Sequence, residues 1–69
     1  MNFDELLEHI SDRLCKTDKV ITPLVDINVE LSIDFMFTVE KYLYNKSGKN
    51  YQSLFNNSEL IVELYDEDF

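Results

Sequence analysis

From Val25 to Glu40 the chain reads VDINVELSIDFMFTVE, with an apolar side chain at every odd position and, Met36 apart, a polar one at every even position. Alternation with a period of two is the signature of a strand with one dry and one wet face. It predicts that the odd-numbered residues from Val25 to Val39, Phe35 and Phe37 included, line one face, and their β-branched and aromatic character agrees. A run of sixteen residues exceeds the usual strand of about 5 to 6. The segment is therefore expected to be one long bent strand, or two strands broken near Asn28 or Ser32. A helical reading of Ile33, Met36, Phe37, Leu43 and Tyr44 is the alternative, and it places β-branched residues in a helix. The wet face carries Asp26, Glu30, Asp34 and Glu40, and no lysine or arginine occurs from Val20 to Glu40.

Around this segment the signals are more local. Asn2 followed by Glu5 forms a capping-box pattern, and Phe3, Leu6, Leu7, Ile10 and Leu14 recur at helical spacing. Acids crowd the first turns while Arg13 and Lys16 come last, as the helix dipole favours, so a helix is expected from Phe3 to about Lys16. Pro23 marks a strand start or an edge, because it has no N–H to give to a ladder. Asn45 to Asn50 encloses the single glycine, Gly48, and predicts a turn with KYLY and YQSLF as the two arms of a hairpin. Asn56, Asn57 and Ser58 make a second loop. ELIVELY alternates and reads first as a final strand, second as a short helix capped by Ser58. The expected class is α+β, one domain over 1–69, with an N-terminal helix packed on a three- or four-stranded antiparallel sheet.

A chain of 69 residues buries only about 60% of the surface it exposes when unfolded, so its core is marginal. Cys15 is the only cysteine and His9 the only histidine, which leaves neither a disulfide nor a four-ligand zinc site as a staple. Pairing of two copies is the remaining route, and a homodimer is expected. Fourteen acids against six bases give a net charge of −8, opposite to what phosphate binding requires, so direct binding to nucleic acid is not expected. The 45% hydrophobic content and its periodicity argue against an acidic disordered chain. No apolar run approaches a membrane span, the start lacks the basic and apolar regions of a secretory signal, and one unpaired cysteine suits the cytoplasm.

Little here resembles catalytic machinery. His9 sits among Glu5, Asp12 and Arg13 at helical spacing and reads as a solvated surface residue, and Cys15 as a small residue at the rim of a buried face. Asp26-x-Asn28-x-Glu30 imitates the start of a calcium loop, yet Leu31 and Phe37 occupy the positions where that loop needs glycine and glutamate. One glycine cannot build a phosphate loop. The expectation is a non-enzymatic protein without metal or cofactor.

What remains is charge of one sign. Alternate residues on a strand face lie about 6.8 Å apart, so Asp26, Glu30 and Asp34 would be spaced at roughly 13.6 Å, sparser than the phosphates of one DNA strand at about 3.4 Å. Further rows would come from Glu59, Glu63, Asp66, Glu67 and Asp68 and from a second copy. A dimer of net charge about −16 would match the phosphates on roughly 27 Å of duplex. In size, acidity, and the segments VDINVELSIDFMFTVE and ELYDEDF, the chain resembles the small acidic DNA-mimic proteins that phages make to disable host DNA-binding proteins, including those directed at the nucleoid-associated protein HU. The resemblance implies that Asp26, Glu30, Asp34, Glu40, Glu63, Asp66, Glu67 and Asp68 stand in for phosphates on the DNA-binding surface of a basic partner, in the host cytoplasm or nucleoid. Lysines 41, 46 and 49 depart from that pattern. The alternative is an immunity-protein or antitoxin-like inhibitor of one nuclease or toxin, gripping through a patch of Tyr42, Tyr44, Tyr51 and Tyr65.

Overall fold

The computed structural model describes residues 1–65 and is an α+β structure: two helices cover one face of a three-stranded antiparallel sheet. Helix α1 spans Phe3–Leu14. Its start is the expected capping box, with the Asn2 side chain accepting from the Glu5 N–H at 2.9 Å and the Glu5 carboxylate accepting from the Asn2 N–H at 3.4 Å. Leu6, Leu7 and Ile10 form its buried row, and it ends two residues sooner than the spacing suggests.

Strand β1, Lys19–Pro23, follows closely; Val20, Ile21 and Thr22 are β-branched, but the run is short and ends at Pro23. It buries Val20 and Thr22 and exposes Ile21. A single turn of 3-10 helix, Leu24–Asp26, leads to residues 27–32, which form no helix or strand and bend at Val29.

The long strand from Val25 to Glu40 does not form. Alternation survives only between 27 and 32, where Ile27, Val29 and Leu31 are half-buried against the core and Asn28, Glu30 and Ser32 are exposed, without a strand partner. At Ser32 the backbone turns into helix α2, Ile33–Ser47, as the Ser32 hydroxyl accepts from the Phe35 N–H at 3.1 Å. Phe35, Val39 and Leu43 are its buried row. Phe35 and Phe37, which alternation places together, are separated: Phe35 is in the core and Phe37 is 63% exposed. KYLY belongs to this helix and is no hairpin arm. The helix stops at Gly48, whose left-handed φ of 73° lets its N–H reach the Tyr44 carbonyl at 2.8 Å.

Strands β2, Tyr51–Phe55, and β3, Glu59–Leu64, make the real hairpin. Its loop is held by Asn56, whose side-chain oxygen accepts from the N–H groups of Ser58 at 2.8 Å and Glu59 at 3.0 Å. Strand order is β1-β3-β2, so β1 and β2 run parallel on either side of β3, joined through α2 in a split β-α-β unit. The core lies between layers, where Leu6, Ile10, Val39 and Leu43 meet Leu60, Val62 and Tyr51. At one end of it the rings of Phe3 and Phe35 meet edge to face at 5.6 Å.

Among the described residues nothing covers the opposite sheet face, where Ile21, Ile61 and Leu54 align across the three strands. Both outer strands have guarded edges. The Leu24 N–H and the Asp18 carbonyl bond to the β3 side, so the backbone groups of the odd residues of β1 face outward, and Pro23 sits where an N–H would otherwise be presented. On β2 the outward Ser53 N–H is taken by the Glu40 carboxylate at 2.8 Å. Among the described residues no helix is long and apolar enough to cross a membrane.

Candidate partner-binding surface

The topology sorts charge by end. The starts of α1 and α2, the end of β1 and the β2–β3 loop all lie at one end. Three contacts tie them together: the Asn28 N–H on the Met1 carbonyl at 2.9 Å, the Leu24 N–H on the Ser58 carbonyl at 3.0 Å, and the Phe3–Phe35 ring contact. The helix C-termini, the start of β1 and the end of β3 lie at the other, where the Leu64 N–H reaches the Asp18 carbonyl at 2.8 Å and the Tyr65 N–H the Asn50 carbonyl at 2.9 Å.

Among the described residues the first end carries Asp4, Glu5, Asp26, Glu30, Asp34 and Glu59, and no lysine or arginine. All are exposed except the half-buried Glu59. The Met1 amino group donates to the Asp26 carbonyl there. The second end carries Arg13, Lys16, Lys19, Lys46 and Lys49, interspersed with Asp12, Asp18 and Glu63. Asp4, Glu5 and Asp34 sit in first helical turns, where the dipole favours carboxylates. Asp26, Glu30 and Glu59 lie outside the helices, so that explanation does not reach them.

The expected phosphate surrogates therefore divide. Asp26, Glu30 and Asp34 are brought to one end, though in a 3-10 turn, a connecting segment and a first helical turn in place of a straight row, and the roughly 13.6 Å spacing of a strand face does not apply. Glu40 is half-buried and committed inside the fold, accepting from both the Ser53 N–H at 2.8 Å and the Ser53 hydroxyl at 2.9 Å. Glu63 is also half-buried, faces the bare side of the sheet near the basic end, and accepts from the Gln52 amide at 2.6 Å. Asp66, Glu67 and Asp68 lie outside the described residues. Glu59, expected in a further row on the final strand, lies at this end as well, and Asp4 and Glu5 join it although nothing in the alternation pattern points to them. Recognising them requires α2 to be a helix and β1 a strand, since only then do these chain ends converge.

At the basic end a cleft of about 490 Å³ opens between the two helix C-termini, lined by Asp12, Cys15, Leu43, Lys46, Lys49 and Tyr51 among others. The Lys46 ammonium lies 5.3 Å from the centre of the Tyr42 ring. Interaction with Tyr42, and then the charges of Asp12 and Glu8, raises its pKa above the ordinary lysine value. His9 lies away from that cleft, in a smaller one between α1 and β1 beside Arg13 and Lys19. The four tyrosines of the expected gripping patch do not share an environment: Tyr51 is buried, Tyr42 half-buried, and Tyr44 and Tyr65 exposed. The chain matches no family model, no curated protein and no solved structure.

Proposed function

We propose that this protein is a non-enzymatic binding module that sets its acidic end into the cationic, nucleic-acid-binding surface of a basic protein, as a DNA mimic; an HU-like protein is the favoured partner. The observation that supports this reading is the convergence of Asp4, Glu5, Asp26, Glu30, Asp34 and Glu59 on one end that has no lysine or arginine. Six carboxylates match the phosphates on about 10 Å of duplex at one charge per 1.7 Å. That footprint suits insertion into one cationic cleft and is too short to imitate a wrapped duplex. A surface of one sign also speeds encounter with its opposite.

The test is competition. The protein should displace duplex DNA from an HU-like target, with an affinity that falls steeply as salt rises. Reversal of Asp26, Glu30 and Asp34 to lysine should weaken binding by about 100-fold or more, while circular dichroism stays unchanged because all three are exposed. Full competition by the reversed protein would overturn the assignment of this end. The second reading, an immunity-protein or antitoxin-like inhibitor of one enzyme, draws on the exposed aromatic side chains Phe37 and Tyr44. It predicts affinity that survives high salt and falls on truncation of those rings.

A further inference from the structure

Helix α2 has two apolar faces, and the fold uses one. A surface helix needs a single apolar stripe to dock on its core, and Phe35, Val39 and Leu43 provide it. Roughly 130° around the helix, at 100° per residue, runs a second ridge of Ile33, Phe37, Glu40 and Tyr44. Its steps of four, three and four residues are those of a helix-pairing seam. Ile33 is 70% exposed, Phe37 63% and Tyr44 51%. The one charged member, Glu40, is drawn aside to Ser53 on β2, so its carboxylate is already satisfied within the fold.

We propose that this seam is the contact between two copies of the chain, with α2 packed antiparallel on α2 of the second copy. Charge selects both occupant and direction. Asp34 and Lys41 each follow a seam position, Ile33 and Glu40, so they lie on the same flank, two turns apart. In an antiparallel pair like flanks face one another, and Asp34 of each copy meets Lys41 of the other. A parallel pair would set both against the flank of Met36 and Leu43, which has no charge to offer. The levels agree as well. Ile33 with Tyr44, and Phe37 with Glu40, are centred between positions 38 and 39, and Asp34 with Lys41 between 37 and 38. That offset is one residue, about 1.5 Å. The same arrangement lays the acidic end of each copy beside the basic end of its neighbour. Strand-to-strand pairing competes poorly, because Pro23 and the Glu40–Ser53 contact guard the sheet edges.

The three apolar side chains leave roughly 400 Å² uncovered per copy, so a pair buries at most about 800 Å² through them, less than the roughly 1,200 Å² of a stable interface and in keeping with a weak, transient one. Weak, concentration-dependent association is the consequence. The two acidic ends then lie at opposite extremes of the dimer, with Asp34 of each engaged by Lys41 of the other copy and Asp4, Glu5, Asp26, Glu30 and Glu59 left outside the seam. The pairing does not depend on the DNA-mimic reading, and its test measures mass with no target present.

Sedimentation equilibrium from micromolar to millimolar concentration should show the 8.2 kDa chain converting to a species of twice that mass. Phe37→Lys should remain a monomer. Asp34→Lys and Lys41→Asp should each pair about tenfold more weakly than the parent, since each sets like charges opposite one another at both contacts. Mixed together, these two variants should pair with each other in preference to themselves, because one carries two lysines and the other two aspartates on the contacting flank. A monomer at every concentration, an undiminished dimer of Phe37→Lys, or no preference in the mixture would each overturn the proposal. Should Phe37→Lys lose its fold by circular dichroism, the mixing experiment decides alone.

Discussion

Two side chains show how burial, more than identity, sets what a residue does. Glu40 belongs by sequence to an acidic wet face, yet its carboxylate holds an outward backbone N–H and a hydroxyl of Ser53. Hydrogen bonds to a charged acceptor contribute about 1.5–3 kcal/mol, and their loss leaves buried donors unpaired. Glu40→Ala should therefore lower unfolding free energy by about 2 kcal/mol in urea titration, whereas Asp26→Ala should change it little. Thr22 is the converse case. It is 2% exposed, and its hydroxyl has no partner among the described residues, so it contributes a desolvation cost with no bond to offset it. Thr22→Val, nearly the same shape, is expected to raise the melting temperature by a stability gain of about 1 kcal/mol. Neither assignment can be read from the chain alone, because each depends on which element packs across from the residue.

At the scale of elements, α1 is legible throughout because its cap, apolar spacing and charge order agree. α2 is legible only as an alternative, for a definite reason. Phe35, Val39 and Leu43 are four apart, and a step of four keeps a residue on the same face both of a helix and of a strand. The two periods part at Lys41, Tyr42 and Ser47, where alternation fails and helical spacing continues to Gly48. Ser32 as the cap and Gly48 as the stop complete a signal that sixteen residues of alternation outweigh. β1 is hidden because one outward lysine and one proline disguise a five-residue edge strand. Gly48 offers the test at this scale. A Cβ added there would meet no atom within 4 Å, so Gly48→Ala incurs only the left-handed backbone penalty. A loss of about 1–2 kcal/mol in thermal unfolding is expected.

For the molecule as a whole, parallel helices on one side of a split β-α-β sheet collect acids at one end and bases at the other. The α+β class follows from the chain, but this polarity does not, since it arises from connections that bring residues 4, 30 and 59 together. A basic target should be approached acidic end first. Its association rate should fall as ionic strength rises and the screening length shrinks from about 30 Å at 0.01 M to about 8 Å at 0.15 M, and stopped-flow mixing would measure it.

The guarded sheet edges matter beyond the single chain. A short protein that leaves Ile21, Leu54 and Phe55 half open to water is a candidate for fibre growth, in which strands of successive molecules stack without limit. Here an imino acid on one margin and an engaged carboxylate on the other deny a newcomer its first rungs. The oily side chains on its exterior thus sit beside margins that offer fewer free backbone donors to a growing fibre.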